Sequence, residues 1–237
     1  MRNIPLILVP GLLCDDALWE FQVAALDKIA TGMITDRHRY NDSIGKIAEA
    51  IVDQAPSRFA LAGLSMGGYI ALEICRKYGD RVDRLALVDT SARAETTEQT
   101  ERRKNLMALC RQGKFTDVVE LLCSVLVHPG RLNDTVLKRQ IADMAHRMGP
   151  EIFVRQQRAI IDRPDQVANL SKITCPTIVV CGKQDQITPV ECSEEMAAHI
   201  KTSELAIIPD CGHMSTMEKP EEVSSALHYW LTLPSDQ

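Results

Sequence analysis

Three side chains far apart in the chain have the types needed to turn a serine hydroxyl into a nucleophile. Ser65 stands in Gly63-Leu64-Ser65-Met66-Gly67, which follows the apolar run 59–62 and precedes a helical pattern. In that setting a Gly-x-Ser-x-Gly segment holds the serine at the apex of a strained turn, because glycine leaves room where a Cβ would collide. Ser65 is therefore the candidate nucleophile, and the alternative is a glycine-rich strand–helix turn without chemistry. The next residue, Gly68, is expected to let the helix start close to the sheet.

A nucleophilic serine needs a base, and His213 is the candidate. It lies in Asp210-Cys211-Gly212-His213-Met214, directly after the apolar run 205–208. Parallel strands end at one edge of a sheet, so this loop should reach the edge that carries Ser65. The other histidines have no such setting; they are His38, His128, His146, His199 and His228. The alternative for His213 is an ordinary solvated loop histidine.

The base in turn needs a carboxylate that orients it, and two aspartates compete for this role. Asp185 follows the apolar run 177–181, and Asp89 directly follows the run 85–88. We favour Asp185 as the orienting acid and expect Asp89 to hold the loop that follows it. Asp210 is expected to form a turn. Ser65, Asp185 and His213 then occur in the chain order typical of one α/β architecture.

The elements that must position these residues alternate along the chain. Short apolar runs, typical of buried strands, occur at 6–9, 59–63, 85–88, 177–181 and 205–208, with a weaker one near 33–35. Helical patterns lie between and after them, at 17–29, 43–54, 66–78, 190–199 and 220–230. This alternation predicts an α/β protein with a mostly parallel sheet and helices on both faces.

Residues 90–166 break this rhythm, because they contain no strand-like run. Helices are predicted at about 98–111, 116–126, 134–147 and 151–161, separated by glycine and proline. We therefore predict a core formed by residues 1–92 and 167–237, with residues 93–166 as a helical lid insertion. The apolar side chains between Val118 and Leu126 either pack against neighbouring helices or line a pocket under the lid.

Composition narrows the class of protein. The 237 residues are 45% hydrophobic and 25% charged, with a net charge of −5, which argues against a nucleic-acid-binding surface. No apolar stretch is long enough for a membrane span, and Pro5, Pro10 and Gly11 interrupt the first apolar run, which favours a strand over a secretion signal. Eight cysteines without a Cys-x-x-Cys pair predict reduced thiols, no zinc site and a cytoplasmic location.

With these residues in place, the sequence resembles the α/β-hydrolase superfamily, among its small, lidded, esterase-like members. It is similar to the pimeloyl-carrier-protein methyl ester esterases and the 3-oxoadipate enol-lactonases over about residues 4–232. The resemblance implies the α/β-hydrolase fold and a catalytic triad of Ser65, Asp185 and His213. It does not specify the substrate.

The resemblance also implies an oxyanion hole. The backbone N–H groups of Leu12 and Met66 take the positions of the family's two donors, and Trp19 matches an aromatic residue that often follows this loop. Trp19 is therefore a candidate substrate contact, beside the lid. Pro10 replaces the family's histidine, so the usual side-chain anchor of the loop is missing. Residues 36–40 also depart from the family's glycine-rich stretch.

The expected function is hydrolysis of a carboxylic ester through an acyl-enzyme, on a small-molecule substrate and without a metal or organic cofactor. A lactonase and a carbon–carbon bond hydrolase would use the same triad. A ligand receptor or binding module on this fold is the alternative of a different class. Sustained turnover of a simple ester separates an enzyme from a receptor.

Overall fold

The computed structural model describes residues 3–234, and its centre is a parallel sheet of six strands in the order β2-β1-β3-β4-β5-β6. The strands are β1 Ile4–Val9, β2 Ala30–Ile34, β3 Phe59–Leu64, β4 Val82–Val88, β5 Thr177–Gly182 and β6 Ser203–Ile208. Every pairing is parallel, and strand β3 lies between β1 and β4. The weak sequence signal near residue 33 belongs to β2, whose alternating exposure is typical of an edge strand.

Helices cover both faces of this sheet, as the alternation predicted. The helices of the strand–helix units are α1 Glu20–Leu26, α2 Ile44–Val52, α3 Met66–Tyr78, α7 Val190–His199, α8 Ser215–Glu218 and α9 Pro220–Thr232. Leu6 and Leu8 of β1 pack in the cluster that includes α1 and α9, whereas Ile7 and Val9 pack in the cluster that includes α2, α3 and α7. This two-residue period separates two buried cores, one on each face.

Three further helices lie between β4 and β5: α4 Thr97–Arg111, α5 Phe115–Leu126 and α6 Thr135–Ile161. We call residues 93–166 the β4–β5 segment. Where the sequence predicted two helices, α6 runs through both, with a kink at Gly149, whose φ of 79° lies in the left-handed region, followed by Pro150. Proline cannot donate within the helix, so a sharp change of direction at this point is expected.

The two ends of the β4–β5 segment are joined by a backbone hydrogen bond and by a buried glutamate that pairs with two arginines. We call these contacts together the neck. Gln166 N–H donates to the Ala92 carbonyl at 2.8 Å. Glu95 accepts from Arg163 at 2.5 Å and from Arg103 at 2.6 Å, and the Glu95 side chain is only 2% exposed. The segment therefore leaves the sheet and returns to it at almost the same point.

The described chain, residues 3–234, contains no helix with the length and apolar character that a membrane span requires.

Candidate active site

Ser65 sits in a strained turn at the carboxyl end of β3. Its φ of 56° and ψ of −115° lie outside the regions that ordinary residues adopt. Its N–H donates to the Val88 carbonyl at 3.0 Å, and its carbonyl accepts from Thr90 Oγ1 at 2.7 Å. A Cβ on Gly63 would lie 2.2 Å from the carbonyl oxygen of Gly67, so the turn cannot form with a larger residue there. The glycines thus act sterically, as the sequence predicted.

His213 and Asp185 meet this serine in a continuous chain of hydrogen bonds. The distance from Ser65 Oγ to His213 Nε2 is 2.9 Å, and that from His213 Nδ1 to Asp185 Oδ2 is 2.7 Å. An ionised carboxylate only accepts, so Nδ1–H donates to Asp185 and Nε2 is free to accept from the serine hydroxyl. The structure therefore brings together three groups that are separated by up to 148 residues.

Asp185 is itself held by the loop that follows β5. Its Oδ1 accepts from the N–H groups of Ile187 and Thr188 at 2.8 and 3.0 Å, and its Oδ2 accepts from Thr188 Oγ1 at 2.8 Å. Sequence reasoning missed Thr188, although a threonine three residues after an aspartate is a local pattern that can make this bond. These bonds fix the carboxylate that faces His213.

Burial and pairing act in opposite directions on the two ionisable partners. Burial disfavours charge on His213, but the charge of Asp185 and the hydrogen bond to it outweigh burial and raise the pKa of His213 above 6.5. Burial likewise opposes ionisation of Asp185, but the contacts with His213 and Thr188 outweigh it and lower the pKa of Asp185. Asp185 is therefore ionised at neutral pH and stabilises a protonated imidazole.

Asp89, the rival acid, lies close by but has other partners. Its Oδ1 accepts from Gly182 N–H at 2.8 Å, and its Oδ2 accepts from the N–H and the hydroxyl of Ser215. Asp89 directly follows β4, so these bonds tie the start of the loop entering the β4–β5 segment to the end of β5 and to the start of α8. Complete burial and the nearby charge of Asp185 raise the pKa of Asp89 to about 8.

One carboxylate oxygen each of Asp89 and Asp185 and the Sγ of Cys181 lie within 4.8 Å of one another, a spacing that could hold a metal ion. The carboxylate oxygens already accept hydrogen bonds, and burial raises the pKa of the Cys181 thiol, so that it stays protonated. These three residues do not fit a metal site.

The predicted oxyanion donors lie beside Ser65. Within residues 3–234, the N–H groups of Leu12 and Met66 donate to no other group. Met66 is the first residue of α3, where unpaired N–H groups and the helix dipole favour a negative charge. Leu12 and Ser65 line the same cavity.

The cavity above Ser65 has a volume of about 340 Å³ and is largely apolar. More than half of its lining residues come from the β4–β5 segment. They are Gln99, Arg102, Arg103, Leu106, Val119, Leu121, Leu122, Cys123, Ser124, Val125, Leu126, Ile141, Ala145, Gln157 and Ile160. Trp19 is not among the lining residues; it is fully buried in the core on the α1 and α9 side.

For the apolar side chains of α5, the sequence left open whether they pack against other helices or line a pocket. Val119 does both, because it is buried in the core and also lines the cavity.

Comparison with known families places the chain. The Hydrolase_4 family, described as "Serine aminopeptidase, S33", matches residues 27–220, which is well over half of the sequence. The protein belongs to this family of α/β-hydrolases. The predicted fold class, the resemblance and the assignment as a hydrolytic enzyme are confirmed.

Relatives of this α/β-hydrolase include an esterase and a hydrolase of a different substrate. The chain is 25% identical over 192 residues to the pimeloyl-[acyl-carrier protein] methyl ester esterase of Nitrosomonas europaea, covering 78% of this chain and 75% of the esterase. It is 26% identical over 200 residues to the 2-hydroxy-6-oxononadienedioate/2-hydroxy-6-oxononatrienedioate hydrolase of Escherichia coli K12, covering 82% and 69% of the two chains.

Solved structures agree with this placement. A thermophilic esterase from Thermogutta terrifontis superposes with a TM-score of 0.86 at 28% identity, over 97% of this chain and 90% of that one. The enol-lactonase of Burkholderia xenovorans LB400 superposes with a TM-score of 0.88 over 98% and 93% of the chains. At 21% identity, the second likeness concerns the fold alone.

Proposed function

We propose that this α/β-hydrolase cleaves small carboxylic esters through an acyl-enzyme, with Ser65 as nucleophile, His213 as general base and acid, and Asp185 as the orienting carboxylate. The observation that carries the proposal is the unbroken contact from Ser65 Oγ through His213 to Asp185, with distances of 2.9 and 2.7 Å. This is the hydrogen-bonded constellation that activates a serine hydroxyl.

In acylation, Ser65 Oγ attacks the ester carbonyl carbon as His213 Nε2 takes its proton. Asp185 holds the imidazole in the tautomer that leaves Nε2 unprotonated and stabilises the imidazolium that forms. The N–H groups of Leu12 and Met66 donate to the oxygen that becomes negative. The protonated His213 then donates to the leaving alcohol as the tetrahedral carbon collapses to the acyl-enzyme.

Deacylation repeats these steps with water. His213 takes a proton from a water molecule, which attacks the acyl carbon, and the same two N–H groups stabilise the second oxyanion. Return of the proton to Ser65 Oγ releases the carboxylic acid. Every step uses groups of this chain.

The proposed substrate is a small ester whose chain fits under the β4–β5 segment, which we propose acts as the lid. An apolar cavity of about 340 Å³ is at the small end of ligand-binding pockets. The family description names an aminopeptidase, but no aspartate or glutamate of the described chain lines this cavity, so a substrate ammonium group would find no carboxylate there. This favours esters over peptides with a free amino end.

The eight free thiols support a cytoplasmic location.

A lactone is the second candidate substrate, because the same attack on a cyclic ester opens the ring, and an enol-lactonase shares the fold. A panel of p-nitrophenyl esters of increasing acyl length, together with simple lactones, ranks the substrates by kcat/KM.

The decisive experiment compares Ser65→Ala with the wild-type enzyme on p-nitrophenyl acetate. We expect loss of Ser65 to lower kcat by about 10⁴-fold or more and to abolish labelling by a fluorophosphonate probe. As a matched control, Ser225→Ala removes a hydroxyl that bonds only to its own helix, α9, in the described chain, and it should leave labelling intact. Full turnover by Ser65→Ala, or labelling of the wild type without turnover, would contradict the proposed function.

A further inference from the structure

The loop that carries the Leu12 donor is tightly turned and strained. After β1, Cys14 N–H donates to the Gly11 carbonyl at 3.2 Å, closing a turn around Leu12 and Leu13. Leu13 has a φ of 58°, in the left-handed region that favours glycine. A branched side chain persists in that conformation only where its surroundings hold it. We call residues 11–15 the oxyanion loop.

A buried glutamine from helix α6 holds the strained residue. Leu13 N–H donates to Gln156 Oε1 at 2.9 Å, across 143 residues of sequence, and Gln156 Nε2 donates to the His38 carbonyl at 3.2 Å. Gln156 is completely buried. Because an N–H only donates and a carbonyl only accepts, these two bonds also fix the orientation of the amide.

Two further contacts anchor the same loop. Arg147 makes a bidentate ion pair with Asp15, with distances of 2.6 and 3.1 Å. His38 Nε2 lies 2.8 Å from the Cys14 carbonyl, and because burial lowers the pKa of His38 to about 4, a neutral imidazole donates here. Arg147 and Gln156 lie on opposite sides of the Gly149 kink, so both halves of α6 hold the loop.

These contacts decide which N–H group of the loop is available to a substrate. Gln156 occupies the N–H of Leu13, whereas within residues 3–234 the N–H of Leu12 donates to nothing. Pro10, just before the loop, has neither an N–H nor a polar side chain that could hold it. We infer that Gln156 is a positioning residue that holds the oxyanion loop with the Leu12 N–H free, so that the β4–β5 segment completes the oxyanion hole; this inference rests on the proposed function.

The test is Gln156→Leu, with Arg155→Met as its control. Arg155 lies on the same helix and donates to the Arg39 carbonyl at 2.5 Å, but within residues 3–234 it makes no hydrogen bond to the oxyanion loop. Removing an oxyanion donor outright costs about 10²- to 10³-fold in kcat. We therefore expect a misplaced donor in Gln156→Leu to lower kcat on p-nitrophenyl acetate about 10- to 100-fold with KM changed less than about threefold, since the hole acts only in the transition state.

Two measurements separate positioning from general loss of structure. The affinity for a boronic acid, which forms a tetrahedral adduct on Ser65, should fall with kcat in Gln156→Leu but not in Arg155→Met. Gln156→Glu should recover much of the lost kcat, because a buried, protonated glutamic acid can accept from Leu13 N–H and donate to the His38 carbonyl. If Gln156→Leu does not fold, Gln156→Met, which also removes the amide at a similar side-chain size, takes its place in each comparison.

The inference is overturned if folded Gln156→Leu keeps kcat within twofold of the wild type. It is equally overturned if Arg155→Met loses as much kcat, or if Gln156→Glu is as impaired as Gln156→Leu. Its failure is distinct from failure of the proposed function, because the latter is decided by Ser65→Ala alone.

Discussion

Carboxylate oxygens of Asp185 and Asp89 lie within 4.8 Å of each other, yet the surroundings of the two residues shift their pKa values in opposite directions. Asp185 is paired with the imidazole of His213, which lowers its pKa, whereas burial beside that charge raises the pKa of Asp89 to about 8. Asp185 is therefore the carboxyl that ionises readily, and Asp89 is the one whose ionisation is opposed by its surroundings. Both follow apolar strands in the sequence, so only the three-dimensional contacts distinguish them.

This difference predicts opposite tolerance to the same substitution. Asp185→Asn should lower kcat by about 10⁴-fold, because an amide favours the wrong tautomer of His213. Asp89→Asn should keep kcat within about tenfold, because in the described chain the Asp89 carboxyl bonds to neither Ser65 nor His213, and an amide oxygen can still accept from Gly182 N–H. Steady-state kinetics of the two variants provide the comparison. Equal losses in both would mean that Asp89 shares the role of the orienting acid.

The pH profile follows from the raised pKa of His213. Only the neutral imidazole can take the serine proton, so kcat/KM should fall as pH decreases, with a midpoint above the ordinary histidine value of 6.5. Rates on an uncharged ester between pH 5 and 9 give this midpoint. A midpoint at or below 6.5 would mean that the contacts with Asp185 do not outweigh the effect of burial on His213.

At the scale of elements, the turn after β3 brings three strands and a helix into close contact. A Cβ on Gly67 would lie 2.1 Å from the Val9 carbonyl oxygen, whereas a Cβ on Gly79 would meet nothing within 4 Å. Gly67→Ala should therefore cost about 3 kcal/mol or more of unfolding free energy, because backbone atoms must move apart. Gly79→Ala should be neutral or stabilise by about 0.4–1 kcal/mol. Urea unfolding of both variants measures the contrast, and similar stabilities would contradict the steric account.

The sequence predicted the elements best where one local rule decides them. Buried apolar runs gave β3 and β5 almost to the residue, and helix α3 begins and ends where its pattern does. The helix predicted at 17–29 is shorter in the structure: a 3-10 turn at Asp16–Trp19 precedes α1 Glu20–Leu26, which packs against α9. Gly149 and Pro150 predicted a break in α6, but the two helices abut without a loop.

The sequence could not predict contacts that form only after folding. The bond between Leu13 and Gln156 joins residues 143 apart, and no motif marks either of them. Trp19 was a candidate substrate contact by its place after the oxyanion loop, yet its ring is fully buried in the core. The roles of Ser65, His213 and Asp185 stay predictions until the variants above are measured.

For the molecule as a whole, the neck decides how firmly the β4–β5 segment is attached to the sheet. Arg163 of the neck also stacks on the Tyr69 ring at 4.1 Å, and Tyr69 lines the cavity. Arg163 therefore links the Glu95 carboxylate of the neck to a side chain in the cavity wall.

Removing the Glu95 carboxylate, which Arg103 and Arg163 share, should destabilise the folded protein. Glu95→Ala leaves the largely buried Arg103 and Arg163 without their partner, which we expect to cost about 3–5 kcal/mol of unfolding free energy. Glu98→Ala, which breaks an exposed pair with Arg102, should change stability by less than about 0.5 kcal/mol. Thermal unfolding distinguishes them. A mild effect of Glu95→Ala would show that the neck contributes little.

The parallel order of the sheet lets a long stretch of chain enter and leave between β4 and β5 without interrupting a single strand ladder. In evolution or in the laboratory, such a stretch can be exchanged for another to change the accepted substrate while the reaction stays the same. However, any exchanged stretch must keep a group that holds the oxyanion loop, as the amide of Gln156 does. A transplanted stretch without a residue equivalent to Gln156 would provide a new binding pocket, but the enzyme would stabilise the transition state poorly.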